Sequence, residues 1–253
     1  MTKAADIIRW MDQKFPRETA ESYDNPGLIT GSADAHVSSV VLSLDATEDA
    51  CECCIANDAS LLITHHPLIF GGLMSAATDG ASGYTGRILS MLIKNDISCF
   101  AAHTNLDKNE EFSNKIIASR IGCEKDDARP VDGASCGVIF DLEDSMYLGD
   151  YIDLVKDGLG VTGVITISPL SKRVRKIFVQ GGAFDGDSLE AIAASGADAV
   201  VSGEIKHHHM VIMDSLGIAG IIAGHRETEQ VYLQNLADKL SESFPDVRFL
   251  VSL

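Results

Sequence analysis

Apolar residues follow one another along this chain in two rhythms. Short unbroken runs, rich in β-branched residues, read as buried strands; longer stretches with apolar positions every three or four residues read as amphipathic helices. Asp6 to Phe15 places Ile7, Ile8, Trp10 and Met11 on or near one helical face, and Pro16 ends it. Tyr23-Asp24-Asn25-Pro26-Gly27 is a turn cluster before the short apolar pair Leu28-Ile29. Val37 to Leu44 predicts a strand, and Thr47 an N-cap for a helix reaching Asn57, with Cys51 and Cys54 on one face. Ala59 to Thr64 predicts the next strand, Arg87 to Asn95 a helix, Ile97 to Ala102 a strand, and Asn109 to Arg120 a helix closed by Gly122.

The polar stretch from Glu124 to Arg129, before Pro130, predicts a hinge. It divides the chain into a first domain, residues 1–125 with 226–253, and a second, residues 126–225. The second half predicts strands at Ser135 to Asp141, Val164 to Ser168, Lys176 to Gln180, Asp198 to Ser202 and Ile218 to Ala223. Between them lie helices at Leu148 to Leu159, Ser188 to Ser195 and from Gly203 through His209, with a turn at Gly181-Gly182. Arg226 to Ser243 reads as one long helix and Val247 to Val251 as a last strand. The alternation predicts an α/β fold with a mainly parallel sheet in each half. Gly71 to Gly86 has no periodicity and predicts a mobile lid; it lacks the Lys-Ser or Lys-Thr pair and the Gly-x-Gly-x-x-Gly spacing of a phosphate loop.

Composition narrows the function classes. A net charge of −17 over 253 residues argues against a nucleic-acid surface, since Lys172-Arg173-Val174-Arg175-Lys176 is the single basic run. No apolar run approaches the roughly 20 residues of a membrane span, and the first residues carry no leader pattern. Six cysteines in a chain this long read as buried thiols, not a disulfide framework, so a cytoplasmic protein is expected.

Histidine placement carries the chemistry. Leu61-Leu62-Ile63-Thr64 ends in His65-His66-Pro67, and Pro67 forces the strand to stop where two imidazoles begin. Taken alone, the pair fits either metal ligands or a strand cap bonded to loop carbonyls. Ile97 to Ala102 likewise releases His103 and Asp107, and Ile218 to Ala223 releases His225. Ligands gather at the carboxyl ends of strands in open α/β sheets. His225 and Glu229, four apart, share one face of a helix. His65, His66, Asp107, His225 and Glu229 are therefore candidate ligands for two ions with open positions, Asp107 being the carboxylate able to bridge them. Mixed nitrogen and oxygen donors suit Zn²⁺, Mn²⁺, Fe²⁺, Co²⁺ or Ni²⁺ better than Mg²⁺ or Ca²⁺.

The blocks Ile63-Thr64-His65-His66-Pro67, His103-Thr104-Asn105-Leu106-Asp107, Ser202-Gly203-Glu204-Ile205-Lys206-His207 and Gly224-His225-Arg226-Glu227-Thr228-Glu229 occur in this order. Together they resemble the GTP cyclohydrolase 1 type 2-like family, also called Nif-three-like dinuclear-metal-centre proteins. The resemblance implies two α/β domains with a dinuclear metal site in the cleft between them, in a short form without an inserted domain. It also implies a toroidal homohexamer, and the same five ligands. The segment Gly181-Gly182-Ala183-Phe184-Asp185 is similar to the family's glycine-rich segment, with Ala183 and Phe184 where small polar residues are usual. His103 then reads as a partner orienting Asp107 or as a proton shuttle, and Glu204 as an acceptor fixing the tautomer of a ligating imidazole. His207 and His208 line a pocket or a solvated helix face, and His209 is packed or exposed.

Two functional readings follow. The first is a metal-dependent hydrolase acting on a small molecule, in which paired ions about 3.5–4 Å apart activate a bridging water. The family name points to ring-opening hydrolysis of GTP, and a phosphoester fits the same metals. The second is a metal-binding hexameric scaffold or metal store without turnover.

Overall fold

The computed structural model describes residues 1–124 and 127–253, so the expected boundary at 125/126 lies outside the described residues. Its strands are β1 (Gly27–Thr30), β2 (Ser39–Ser43), β3 (Leu61–Thr64), β4 (Ser98–Ala101), β5 (Val138–Tyr147), β6 (Arg173–Ala183), β7 (Ala199–Glu204), β8 (Ala219–Ile222) and β9 (Arg248–Ser252). The chain forms two compact units, Met1–Leu106 with Leu233–Leu253, and Asp107–Tyr232. The fold is mixed α/β with two mostly parallel sheets, as the alternating pattern predicts.

In the first unit the sheet order is β1-β4-β3-β2-β9, parallel except for the antiparallel edge β1. Every residue of β2, β3 and β4 is buried. Val41, Leu62 and Cys99 meet Ala50, Cys51 and Cys54 of helix Glu48–Ala56 and Ile88 and Leu92 of helix Tyr84–Lys94. The Thr47 hydroxyl accepts from Ala50 N at 3.0 Å, the expected cap. Register delivers three strand ends to one edge: Ser43 pairs with Thr64 and Thr64 with Ala101. Asp45, His65-His66 and His103 are the residues that follow.

The stretch expected to run unstructured to Gly86 ends earlier, because helix Tyr84–Lys94 begins inside it. A Cβ on Gly86 would stand 2.1 Å from Ala77 O, and one on Gly83 2.5 Å from Thr78 C. These glycines let the loop backbone lie against the helix start, a packing role.

In the second unit the order is β5-β6-β7-β8, with β5 antiparallel. One face carries Phe140, Ile177, Val179 and Val201 under Ile117, Tyr151 and Val155; the other carries Ile139, Phe178 and Val200 under Ile192, Met210 and Met213. Several expectations need correction. The helix expected from Gly203 starts at His207, because β7 continues through Glu204. Val164 to Ser168 is not a strand: it makes one bridge, Ile165 to Ile222, and Ile165 and Ile167 stay exposed, so no buried face rewards a longer ladder. The long helix from Arg226 to Ser243 is two helices, His225–Gln230 and Leu233–Ser243. Thr228, Glu229 and Tyr232 are buried in the second unit, whereas Leu233, Leu236 and Leu240 are buried in the first, so the chain breaks where its partner changes.

Candidate metal centre

His65 stands at the end of β3, 2% exposed, and its backbone continues the ladder through His65 N to Ser43 O at 3.2 Å. The Thr64 hydroxyl donates to His66 O at 2.8 Å, turning the chain at Pro67. The His65 Nδ1–H donates to Ala102 O at 3.0 Å. His66 Nδ1 lies 2.9 Å from Asp45 Oδ1, and His103 Nδ1 lies 2.9 Å from Asp24 Oδ1. Carbonyl and carboxylate oxygens only accept, so each Nδ1 holds the proton and each Nε2 is the lone-pair nitrogen of the neutral ring. The three rings cluster, with centroids 4.9, 5.0 and 5.3 Å apart, and their ligand atoms lie within 4.8 Å of one another.

Asp24, in the turn before β1, has a fully buried side chain. Besides His103 it accepts from Thr104 N at 3.0 Å, Thr104 Oγ1 at 2.5 Å and Asn25 N at 2.7 Å. Burial pushes its carboxyl up, but the hydrogen bonds from Thr104 and His103 outweigh that and hold it below the usual range. Burial, then His65, pushes the His103 imidazole down, against the pull of Asp24, which keeps the ring neutral.

The Asp24 shift sets a pH dependence. A carboxyl depressed in the native state stabilises the fold fully above its unfolded value near 3.8, and that contribution is lost as pH falls through the lower native value. Urea unfolding of the wild type and Asp24→Asn will therefore differ most at neutral pH, and the difference will shrink below about pH 4. A difference independent of pH would show that Asp24 is not held ionised by the fold.

In the second unit, His225 opens helix His225–Gln230 directly after β8. Its Nδ1 lies 3.1 Å from Glu204 Oε1, and its Nε2 lies 3.2 Å from Glu229 Oε2. Both ring nitrogens therefore face carboxylate oxygens. Glu229 is 3% exposed and sits over the bulge at Gly181-Gly182. That bulge, not a tight turn, is what the two glycines form, and Gly182 N donates to Thr228 Oγ1 at 3.0 Å. Burial raises the Tyr232 hydroxyl well above its ordinary value, and the charges of Asp107 and Glu229 add to the shift.

Asp107 lines a cavity of about 80 Å³ with Lys108, Asn109, Asn114, Ser135 and Cys136, room for waters or a small polar group. Burial, then Asp107, pushes the Cys136 thiol up to about 12, which leaves it protonated and unsuited to nucleophilic or thiolate-ligand roles at neutral pH. His207 and His208 are exposed on helix His207–Ser215, while His209 packs over Gly186 and edge-on to Phe184. Sequence reasoning missed Asp24 and Asp45, the carboxylates behind His103 and His66. Asp45 carried a usable signal, since it follows β2 as His65 follows β3.

Among the described residues no helix is long and apolar enough to cross a membrane. A family model described as Duf34/NIF3 (NGG1p interacting factor 3) matches residues 2–253. A Clostridium perfringens protein named GTP cyclohydrolase 1 type 2 homolog is 31% identical, over 99% of this chain and 96% of its own. The crystal structure of Staphylococcus aureus protein SA1388 is similar with a TM-score of 0.90 at 26% identity, covering 99% of this chain and 96% of that one. A Bacillus cereus protein related to NIF3 shares the fold with a TM-score of 0.89 at 22% identity, with 99% and 96% covered.

Proposed function

The chain belongs to the Duf34/NIF3 family, and from that premise we propose that it is a metal-dependent hydrolase with a dinuclear centre. His65, His66, Asp107, His225 and Glu229 are its ligands. One observation carries the reading: His65 and His66 each set Nδ1 on an oxygen acceptor and so present Nε2 as a donor, while the His225 ring lies between the carboxylates of Glu204 and Glu229. The buried carboxylate of Glu229 beside His225 Nε2 fits a cation by charge.

Two divalent transition-metal ions bound there would supply Lewis-acid charge and lower the pKa of water toward neutrality. The chain's own residues do the positioning. Asp45 and Ala102 O hold the first two rings, and Glu204 fixes His225 so that its Nε2 faces Glu229. The relatives' name makes GTP the first substrate to test, with ring opening read as formate release; phosphoesters come second. On the same family premise the chain assembles as a toroidal homohexamer, which light scattering on the purified protein tests.

Metal analysis of protein purified without added metal is expected to find about two transition-metal ions per chain. Asp107→Asn and Glu229→Gln will both lower that number. Wild-type metal content in both variants would overturn the ligand assignment. Two bound ions with no formate or phosphate released from any substrate, with Mn²⁺ or Zn²⁺ added, would replace the hydrolase with a metal-binding scaffold.

A further inference from the structure

Asn114, on helix Ser113–Arg120, is 2% exposed, and both ends of its amide are bonded to backbone. Its Nδ2 donates to Asp107 O at 3.0 Å, and its Oδ1 accepts from Gly181 N at 2.9 Å. The second bond answers a local need. The pairing of β6 with β7 shifts register between Gln180 and Ala183, and a bulge takes backbone N–H groups out of the ladder. A buried N–H must then find another acceptor. Gly181 N finds Asn114 Oδ1 and Gly182 N finds Thr228 Oγ1 at 3.0 Å, so two side chains hold the bulge. The same helix packs on it: a Cβ on Gly181 would stand 2.9 Å from Ile117 Cδ1 and 3.8 Å from Glu229 Cγ.

The first bond reaches a different segment, the one that carries Asp107. A carboxylate oxygen of Asp107 and one of Glu229 lie within 4.8 Å of each other. Carboxylates that close repel when both are ionised, so the backbone that carries them must impose their spacing. We propose that Asn114 is a positioning residue for the metal centre, tying the backbone of Asp107 to the bulge beneath Glu229 and so setting the spacing of the two carboxylates; this rests on the metal-centre reading. A planar amide bonded at both ends cannot follow one segment without pulling on the other. Residues that orient ligands in this way typically change metal affinity without touching the ion.

Asn114→Leu keeps the reach of the side chain and removes both bonds, and Asn114→Ser is too short to span both partners. Stripped of metal and titrated with Zn²⁺ against a chromophoric chelator, both variants are expected to bind about 10- to 100-fold more weakly than the wild type. Val155→Ala is the control for stability alone. Val155 is buried in the same core as Ile117, so its truncation will lower the urea midpoint while Zn²⁺ affinity stays at the wild-type value. Coupling is reciprocal, so Zn²⁺ loading of the wild type will slow hydrogen exchange at the Gly181 amide, a measurement that needs no variant to fold. Asn114 variants that bind Zn²⁺ as tightly as Val155→Ala overturn the positioning role and leave the metal centre standing. Gly181 exchange unchanged by bound Zn²⁺ does the same. A wild type that binds no Zn²⁺ overturns both.

Discussion

Gly203→Ala is expected to destabilise the protein by about 3 kcal/mol. A Cβ there would stand 2.6 Å from His225 Cα, 2.7 Å from Gly182 O and 2.8 Å from Thr228 Oγ1. Two of the three obstacles are backbone, one on β6 and one at the start of helix His225–Gln230, so no rotamer change relieves them. The helix must move, and His225 moves with it. Urea unfolding measures the loss. Gly72→Ala is the control, because nothing lies within 4 Å of its added Cβ, and it should stay within a few tenths of a kcal/mol of wild type. A Gly203→Ala midpoint equal to that control would mean that helix His225–Gln230 does not pack against β7 as described.

The same contact shows which parts of the molecule the sequence can announce. Leu61-Leu62-Ile63-Thr64 followed by two histidines and a proline states a strand and its end locally, through backbone donors and side-chain periodicity. The structure agrees, with all four strand residues buried. Ile165 and Ile167 have the same β-branched character, yet the segment makes one bridge. Burial by a neighbouring face decides between them, and that face comes from elsewhere in the chain. The break after Gln230 is hidden for a related reason: the apolar period runs on through Leu233, while the surface it packs against changes.

Functional side chains follow that division. Histidines at strand ends can be found from the sequence because the strand fixes where they emerge. Their partners cannot: Asp24 and His103 are 79 positions apart, and only the pairing of β1 with β4 brings the turn before β1 to the end of β4. Gly181-Gly182 reads as a turn by residue type, since glycine pairs favour turns. Its use is clearance for a buried carboxylate, which depends on helix His225–Gln230 lying across it.

That clearance gives the second large effect, and a double-mutant cycle isolates it. Gly182 has φ +63°, and a Cβ on it would stand 2.2 Å from Glu229 Oε1. Gly182→Ala therefore adds two costs: left-handed backbone strain of about 1–2 kcal/mol, and displacement of a buried carboxylate that His225 faces at 3.2 Å. The second cost, about 2 kcal/mol more, vanishes if the carboxylate is already gone. Measured on metal-free protein, Gly182→Ala should cost markedly less in a Glu229→Ala background than in the wild type. The difference is the coupling between the two positions. Metal content should fall in Gly182→Ala even where the protein remains folded. Equal costs in the two backgrounds would leave backbone strain as the whole effect, and Glu229 would then have to point away from the bulge.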